Sequence, residues 1–384
     1  MISHRVPANP AMLRWARERS GVDVLTLLSR FPALEKWERR ELSPTLRQLE
    51  SYARATLTPV GYLFLQEPPV ERVPIPDFRT MADRAIARPS PNLLETIYLC
   101  QQRQLWYREH ALTQGLRAAE FVGSLAISAS VESSASAIRQ QLGLDLGARR
   151  DCPTWVEALR QFITLADASG VMVMCSGVVG NNNYRGLKPE EFRGFALSDP
   201  LAPLVFINGA DTKSAQMFTL AHELAHLWLG QSALSDANVY DAGTVAVERW
   251  CNRVAAELLV PMTSFVSELR RDESVEDAKR RLSRQFKVST LVILRRLFDA
   301  ERITREQFWT AYRAELARLI SLKKSSGGGN FYLSQAARVS KRFARALVES
   351  TLEGRTLYRD AMRMVGVSKT STFHELGRSL GMPI

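Results

Sequence analysis

Apolar residues are most concentrated between residues 218 and 229, where they fill nearly every face of a predicted helix. They are Phe218, Leu220, Ala221, Leu224, Ala225, Leu227, Trp228 and Leu229. A helix that is apolar almost all round is typical of a buried position. His222, Glu223 and His226 interrupt this run, and polar groups buried without a partner are costly. The pattern therefore predicts a buried helix whose three polar side chains need partners.

The rest of the pattern is mainly helical, with a few short strands. Two apolar segments ahead of the buried helix, residues 194–200 and 203–208, are typical of strands. Most other segments carry helical periodicity or helix-start and helix-stop residues. We therefore expect a mainly α fold with a small β-sheet (α+β) and helical N-terminal and C-terminal regions.

Five short helices are predicted in the first 65 residues. Pro10, Pro44 and Pro59 open three of them, and Gly21 ends the first. Their number and order resemble the Cro/repressor-type helix-turn-helix domain, which implies a third helix in the DNA major groove. That helix has an apolar, acidic opening here instead of the Gln, Ser or Arg that would meet base edges. DNA binding and dimerisation or partner docking both stay open for residues 1–67.

The three polar residues of the buried helix carry a specific chemistry. His222 and His226 stand four residues apart, so a helix projects them from one face, one turn above the other. Two such imidazoles can bind one divalent cation, and zinc takes histidine nitrogens at about 2.0–2.1 Å. Glu223 is the residue type that accepts a proton from water in zinc peptidases. The segment thus predicts a metal, a nucleophile and a base.

A third ligand is expected on the following helix, which Pro261 ends. That helix offers Glu248 and Glu257, which lie nine residues apart and therefore face opposite sides. Glu248 shares its face with small and apolar residues, so we predict Glu248 as the ligand and Glu257 as a solvated or ion-paired residue. Cys251 is interpreted as a small core residue rather than a ligand.

These segments resemble the ImmA/IrrE family of bacterial metallo-endopeptidases. The resemblance spans roughly residues 150–300 and is carried by the run from Phe218 to His226 and by Glu248-x-x-x-Asn252-x-x-Ala255-Ala256-Glu257-Leu258-Leu259-x-Pro261. It implies a zincin-like core in which His222, His226 and Glu248 bind Zn²⁺, or Mn²⁺ as the alternative, and Glu223 is the base. It also implies a dedicated protein substrate, such as a DNA-bound repressor.

Composition adds three expectations. The chain has a formal net charge of +11, and residues 321–384 hold eleven Lys/Arg against four Asp/Glu, which suits an acidic partner or nucleic acid. Four scattered cysteines indicate no disulfide framework. The sequence shows no long apolar run and no signal-peptide core at its start, so we expect a cytoplasmic protein without a membrane span.

Residues after the peptidase segment predict a second helix-turn-helix-like module. Residues 282–297 contain a helix, a tight turn and a second helix that Ser289 caps. The resembled family carries such a module at this place. Lys287, Thr290 and Arg295 would either contact DNA or hold the substrate protein, and both alternatives stay open. A flexible linker at 323–329 and a basic helix at 333–353 follow.

The expected domains are residues 1–67 (helix-turn-helix), 68–149 (proline-rich connector and helical scaffold), 150–270 (peptidase core), 271–320 (second helical module) and 321–384 (linker and basic tail). Within the connector, Phe78 and Arg79 are expected to dock onto the next domain. The expected function is a zinc-dependent endopeptidase that cleaves one repressor or toxin-like partner, with a homodimer as an open alternative. The rival is a DNA-binding regulator, or the antitoxin of a toxin–antitoxin pair, with a non-catalytic metal site. The open ligand set favours the enzyme, because a structural zinc normally closes its fourth position with Cys or His.

Overall fold

The computed structural model describes residues 5–78, 88–234, 246–321 and 338–383. These residues form a mainly helical fold with one small sheet, which confirms the predicted α+β class. The chain divides into two compact units, residues 1–74 with 85–97, and residues 75–84 with 98–384. The predicted linker at 323–329 and the predicted docking residue Arg79 lie outside the described residues.

The first unit contains the short helices that the sequence predicts for its start. In its described residues these are α1 (Pro10–Ser20), α2 (Val24–Arg30), α3 (Leu34–Glu38), α4 (Leu46–Ala55) and a 3-10 helix (Val60–Phe64). Asn9 caps α1, and Gly21 ends it in the left-handed conformation at φ 63°. Their buried aromatic residues include Trp15, Trp37 and Tyr52. DNA binding by this unit stays a prediction.

The remaining elements follow in chain order. The helices are α5 (Pro91–Thr113), which begins in the first unit, and then α6 (Val131–Leu142), α7 (Leu146–Arg150), α8 (Trp155–Ala168), α9 (Lys213–Trp228), α10 (Ala246–Leu259), α11 (Met262–Ser267), α12 (Val275–Phe286), α13 (Thr290–Asp299), α14 (Arg305–Ser321), α15 (Lys341–Leu352), α16 (Tyr358–Val365) and α17 (Thr370–Ser379). The strands are β1 (Met172–Ser176), β2 (Gly194–Leu197), β3 (Leu204–Asn208) and β4 (Ala233–Leu234). No helix in the described ranges is long and apolar enough to cross a membrane.

The sheet has the strand order β1-β3-β2-β4. β1 runs parallel to β3, whereas β2 runs antiparallel to both β3 and β4. The two predicted strands are confirmed as β2 and β3. Beyond β4, Asp77 forms a parallel bridge with Leu234, and the N–H of Leu234 donates to the carbonyl of Pro76 at 3.0 Å. The proline-rich connector therefore extends the sheet at its β4 edge.

Helix α9 lies in the core of the second unit, in contact with β2, β3, α8 and α10. Every residue from Gln216 to Trp228 is buried, as the apolar pattern predicts. Trp228 stacks on Phe121 with ring centroids 4.2 Å apart, which fixes the end of the helix. The core therefore holds the segment with the candidate chemistry rigidly.

The basic C-terminal segment packs against the rest of the second unit, to which it belongs. The predicted helix 333–353 is interrupted within its described part: residues 338 and 339 are helical, and Ser340 then caps a helix that begins at Lys341. Phe343 of α15 is fully buried and meets Trp106 edge-on. Arg103 donates to the carbonyl of Met364 at 2.9 Å. These contacts make the segment part of the fold.

The helix, tight turn and second helix predicted for residues 282–297 are present in α12 and α13, with Ser289 accepting from the N–H of Val292 at the start of α13. No residue from 290 to 298 is exposed. Thr290 donates to Glu315, and Arg295 pairs with Asp299. These contacts favour a packing role for α13 over direct contact with DNA.

Candidate metal centre

Helix α9 sets the spacing of the two histidines. Thr212 caps the helix by accepting from the N–H of Ala215. One helical turn separates His222 from His226, and their Nε2 atoms lie 3.1 Å apart. Both side chains are buried. The helix therefore presents two nitrogen ligands to a single point in the interior.

Glu248 of α10 supplies a carboxylate to the same point. Its Oε2 lies 3.2 Å from His222 Nε2, and its Oε1 lies 3.0 Å from His226 Nε2. The ligand atoms of the three residues lie within 4.8 Å of one another. The structure thus brings together the three residues that the sequence marks as ligands.

The arrangement fits a metal ion by chemistry and by size. Two histidine nitrogens and one carboxylate are the donor set of catalytic zinc sites, which keep a fourth position for water or substrate. Ligands about 2.0–2.1 Å from a tetrahedral ion lie about 3.3 Å from one another. The three measured separations, 3.0, 3.1 and 3.2 Å, are close to that edge length. His222, His226 and Glu248 can therefore hold one ion between them.

Electrostatics at this point favour a positive charge. Burial alone would raise the pKa of Glu248, but the two imidazoles outweigh burial and hold the pKa of Glu248 well below its usual range. Burial acts to lower the pKa of both histidines. At His226 burial is the largest effect, and the pKa is lowered. At His222 the carboxylate of Glu248 outweighs burial and raises the pKa. The ionised carboxylate therefore attracts a cation, either a proton on His222 or a metal ion.

Glu223 lies one residue after His222, fully buried, on the side of α9 that faces β2. A Cβ added to Gly194 of β2 would lie 3.1 Å from Glu223 Oε1. It would also lie 2.5 Å from Cγ2 of Thr219. Sequence reasoning assigned Gly194 only to a strand and missed this contact. The absent side chain makes the space in which the Glu223 carboxylate lies.

Asn252 is a second residue that sequence reasoning gave no role. It is buried on α10, and its side chain acts to raise the pKa of His222. Its position one helical turn after Glu248 was the available signal, because that spacing places both side chains on one face. Asn252 therefore belongs to the immediate surroundings of the His222 ring.

Glu257 and Cys251, the two alternatives to Glu248 as the third metal ligand, do not fit that role. Glu257 accepts from Arg296 Nη2 at 2.7 Å and from the N–H of Met262 at 3.2 Å, so it joins the end of α10 to α11 and α13. Burial raises the pKa of the Cys251 thiol well above its usual value, which disfavours the thiolate that a metal needs. Glu248 is the third ligand that the geometry supports.

Phe78 of the connector stacks on His226, with ring centroids 6.0 Å apart. The segment that extends the sheet edge therefore also covers one of the candidate ligands. The sequence predicts that Phe78 docks onto the next domain, and the structure shows where.

Comparison with known families gives two matches. Residues 166–298 match the IrrE N-terminal-like domain (peptidase family M78), and this range contains His222, Glu223, His226 and Glu248. Residues 339–379 match a domain of unknown function, DUF8813. No curated protein matches the chain.

Proposed function

The chain carries an IrrE N-terminal-like domain of the ImmA/IrrE metallopeptidase family, and on this premise we propose that it is a zinc-dependent endopeptidase that cleaves a specific partner protein, such as a transcriptional repressor. The observation that carries the proposal is the convergence of His222, His226 and Glu248 beside a buried glutamate on the same helix. Three protein ligands with an open fourth position are typical of catalytic rather than structural zinc. Mn²⁺ remains the alternative ion, and the cytoplasm the proposed compartment.

The reaction would be hydrolysis of a peptide bond. A zinc ion held by these ligands would act as a Lewis acid on the substrate carbonyl and lower the pKa of water towards about 7. Glu223 accepts the proton of the attacking water and passes it to the amine nitrogen that leaves. Glu248 lies against Nε2 of His222, and Asn252 acts to raise the pKa of that ring.

A dedicated substrate is consistent with the covered site. Phe78 lies on His226, and the connector lies along the β4 edge. An enzyme that digests proteins in general needs an open cleft, whereas a covered site suits a partner that is recognised elsewhere on the chain. Candidate recognition surfaces are the first unit and the helices that follow the peptidase segment.

The rival function, a DNA-binding regulator or antitoxin, would need a surface that is free to enter a groove. Residues 290–298 of α13 are buried or half-buried, which favours the first unit as the candidate for DNA contact. Binding of DNA by that unit is compatible with a peptidase that acts on a DNA-bound repressor.

Metal analysis tests the proposed site. Purified protein supplied with zinc is expected to hold about one zinc per chain. Glu248→Ala is expected to lose it, whereas Glu257→Ala, on the opposite face, is expected to keep it. A wild-type protein that takes up no stoichiometric metal would overturn the proposal.

Cleavage is tested with the base variant. Glu223→Gln is expected to keep the metal but lose activity, and His226→Ala is expected to lose both. Mass-spectrometric comparison of protein N-termini in cells that produce either the wild type or Glu223→Gln would reveal the product. Identical N-termini in both would contradict the assignment of Glu223 as the base.

A further inference from the structure

A cavity of about 1030 Å³ lies between the peptidase segment and helix α15. Its walls come from α5, α8, β1, the first turn of α9 and α15. Apolar side chains contribute much of the lining, among them Leu159, Ile163 and Val173. The cavity lies apart from His222, His226 and Glu248, none of which lines it.

The charged residues of the lining are mostly cationic, with six Lys/Arg and three Asp/Glu. Asp167 is occupied, because its carboxylate accepts from Ser340 Oγ at 2.8 Å and from the N–H of Arg342 at 3.0 Å. Glu353 pairs with Arg355. Only Glu349 remains without an ion pair or hydrogen bond to a described residue. The three carboxylates offset half of the six positive charges, so the Lys/Arg and Asp/Glu side chains of the lining leave a net charge of +3.

Five of the cations make no ion pair with a carboxylate of the described residues: Arg160, Lys213, Lys341, Arg342 and Arg345. Arg160 lies on α8, whereas Lys341 and Arg345 lie on α15. Arg345 donates to the carbonyl of Leu380, and Lys213 to the side-chain oxygen of Gln216. Cations of three different helices, α8, α9 and α15, therefore line one cavity without an ion pair to a carboxylate of the described residues.

The walls are held in place by interactions within the chain. Arg342 Nε donates to the hydroxyl of Tyr107 at 2.8 Å, and its guanidinium lies 5.9 Å from the centre of that ring. Gln216, which lines the end of the cavity, is fully buried and donates to the carbonyl of Gly209 at 3.0 Å. The cavity is thus formed by the fold itself and reaches the first turn of the helix that carries the histidines.

We propose that this cavity binds a nucleotide, with the phosphates on the unpaired cations and the base and ribose on the apolar lining. Ligand sites commonly have volumes of about 300–1000 Å³, so this cavity is large enough for a nucleotide and larger than an inorganic anion needs. Arginine and lysine side chains are the usual protein partners of phosphate groups. The proposal does not depend on the peptidase activity, because it uses none of the residues of the metal centre.

Fluorescent N-methylanthraniloyl-ATP tests the proposal on the full chain. We expect saturable binding of one molecule per chain. Arg160→Glu and Lys341→Glu are each expected to weaken binding about tenfold or more, since each removes a charged contact and adds repulsion. Lys369→Glu, which changes an exposed lysine outside the cavity by the same charge, is expected to bind like the wild type.

A variant that fills the cavity without changing charge tests the apolar lining. Thr164 is exposed and lines the cavity, so Thr164→Trp is expected to abolish binding while the protein keeps the thermal midpoint of the wild type. Competition by unlabelled ATP and by NAD shows whether the cavity prefers a mononucleotide or a dinucleotide. The proposal is overturned by absence of saturable binding, by unchanged affinity in Arg160→Glu and Lys341→Glu, or by competition from inorganic pyrophosphate as strong as that from ATP.

Discussion

Phe78 stacks on the imidazole of His226, with ring centroids 6.0 Å apart and ring planes inclined by 12°. Two backbone features hold this segment beside the metal centre. The carbonyl of Pro76 accepts from the N–H of Leu234, and Asp77 bridges the same strand residue. The connector therefore shields one face of a candidate metal ligand while it continues the sheet.

Removal of the Phe78 ring should open a path to the metal. Aromatic stacking contributes about 0.5–1.5 kcal/mol in addition to the burial of apolar area. Loss of that energy raises the fraction of molecules with an uncovered site about 2- to 10-fold. We expect Phe78→Ala to bind the same amount of zinc as the wild type and to lose it to a chelator about 2- to 10-fold faster. Stopped-flow absorbance with a chromogenic chelator measures the rate.

Phe64→Ala is the matched control, because Phe64 is partly exposed in the first unit. That variant should lose zinc at the wild-type rate. Equal rates in Phe78→Ala and the wild type would show that the connector does not limit access to the metal.

Substitution of Gly194 by alanine tests how closely β2 approaches Glu223. A methyl group at this position would lie 2.8 Å from the carbonyl oxygen of Phe206 and 3.1 Å from Glu223 Oε1. Backbone atoms cannot move aside cheaply, so Gly194→Ala is expected to destabilise the protein by about 1–3 kcal/mol. It should also reduce cleavage while zinc content stays near one per chain.

A glycine with free space provides the comparison for that variant. A Cβ added to Gly61 would meet no atom within 4 Å. Gly61→Ala is therefore expected to change neither the denaturation midpoint nor cleavage. A Gly194→Ala protein as stable and as active as Gly61→Ala would refute the close-approach argument.

Glu257 and Arg296 form a buried ion pair that stabilises the second unit without serving the metal. The pair measures 2.7 Å, and 8% and 7% of the two side chains are exposed. Among the described residues, Glu257→Ala leaves the buried guanidinium of Arg296 with one ion pair, the longer 3.5 Å contact to Asp299. We expect a loss of about 3–5 kcal/mol in the free energy of unfolding, measured by urea denaturation, with unchanged zinc content.

A double variant separates the ion pair from other effects of the truncation. Replacing a buried pair by apolar side chains of similar size is often neutral or stabilising. Glu257→Leu combined with Arg296→Met should therefore recover most of the lost stability. A double variant as unstable as Glu257→Ala would show that the cost arises elsewhere.

The sequence is most informative where structure depends on local spacing. The burial of α9 follows from apolar residues on all its faces, and the proximity of His222 to His226 follows from one helical turn. The choice of Glu248 over Glu257 needs the angle per residue along a helix, which puts the two on opposite faces, and the small and apolar residues on the face of Glu248. These relations hold wherever the helix is placed, so they can be derived before the fold is known.

Contacts between distant segments are less accessible. Residue types alone do not indicate that Gly194 makes room for Glu223, or that Phe78 reaches His226. The same holds for the basic C-terminal helix, whose Arg342 binds Tyr107 and the carbonyl of Asp167 inside the chain. Charge patterns report which residues are cationic, but the tertiary packing decides which of them meet a partner.

Glu315 on α14 should make stability depend on pH in the acid range. Its carboxylate accepts from Lys279 of α12 at 3.0 Å and from Thr290 of α13 at 2.5 Å, and Arg318 also binds it. Burial alone would raise the pKa of Glu315, but these hydrogen bonds lower it to about 2. An unfolded glutamate titrates near pH about 4.3. Because the folded pKa is the lower one, the stabilisation is complete above pH about 4.5 and is lost as pH falls towards about 2.

Glu315→Gln should therefore lower the free energy of unfolding by about 1.5–3 kcal/mol at neutral pH. The difference from the wild type should shrink as urea denaturation is repeated from pH 5 down to pH 3, since the wild-type carboxylate then begins to take up a proton on unfolding. Glu306→Gln, an exposed position on the same helix, should differ little from the wild type at every pH. A Glu315→Gln deficit that stays constant across this range would mean that packing, and not the charge of Glu315, holds α12, α13 and α14 together.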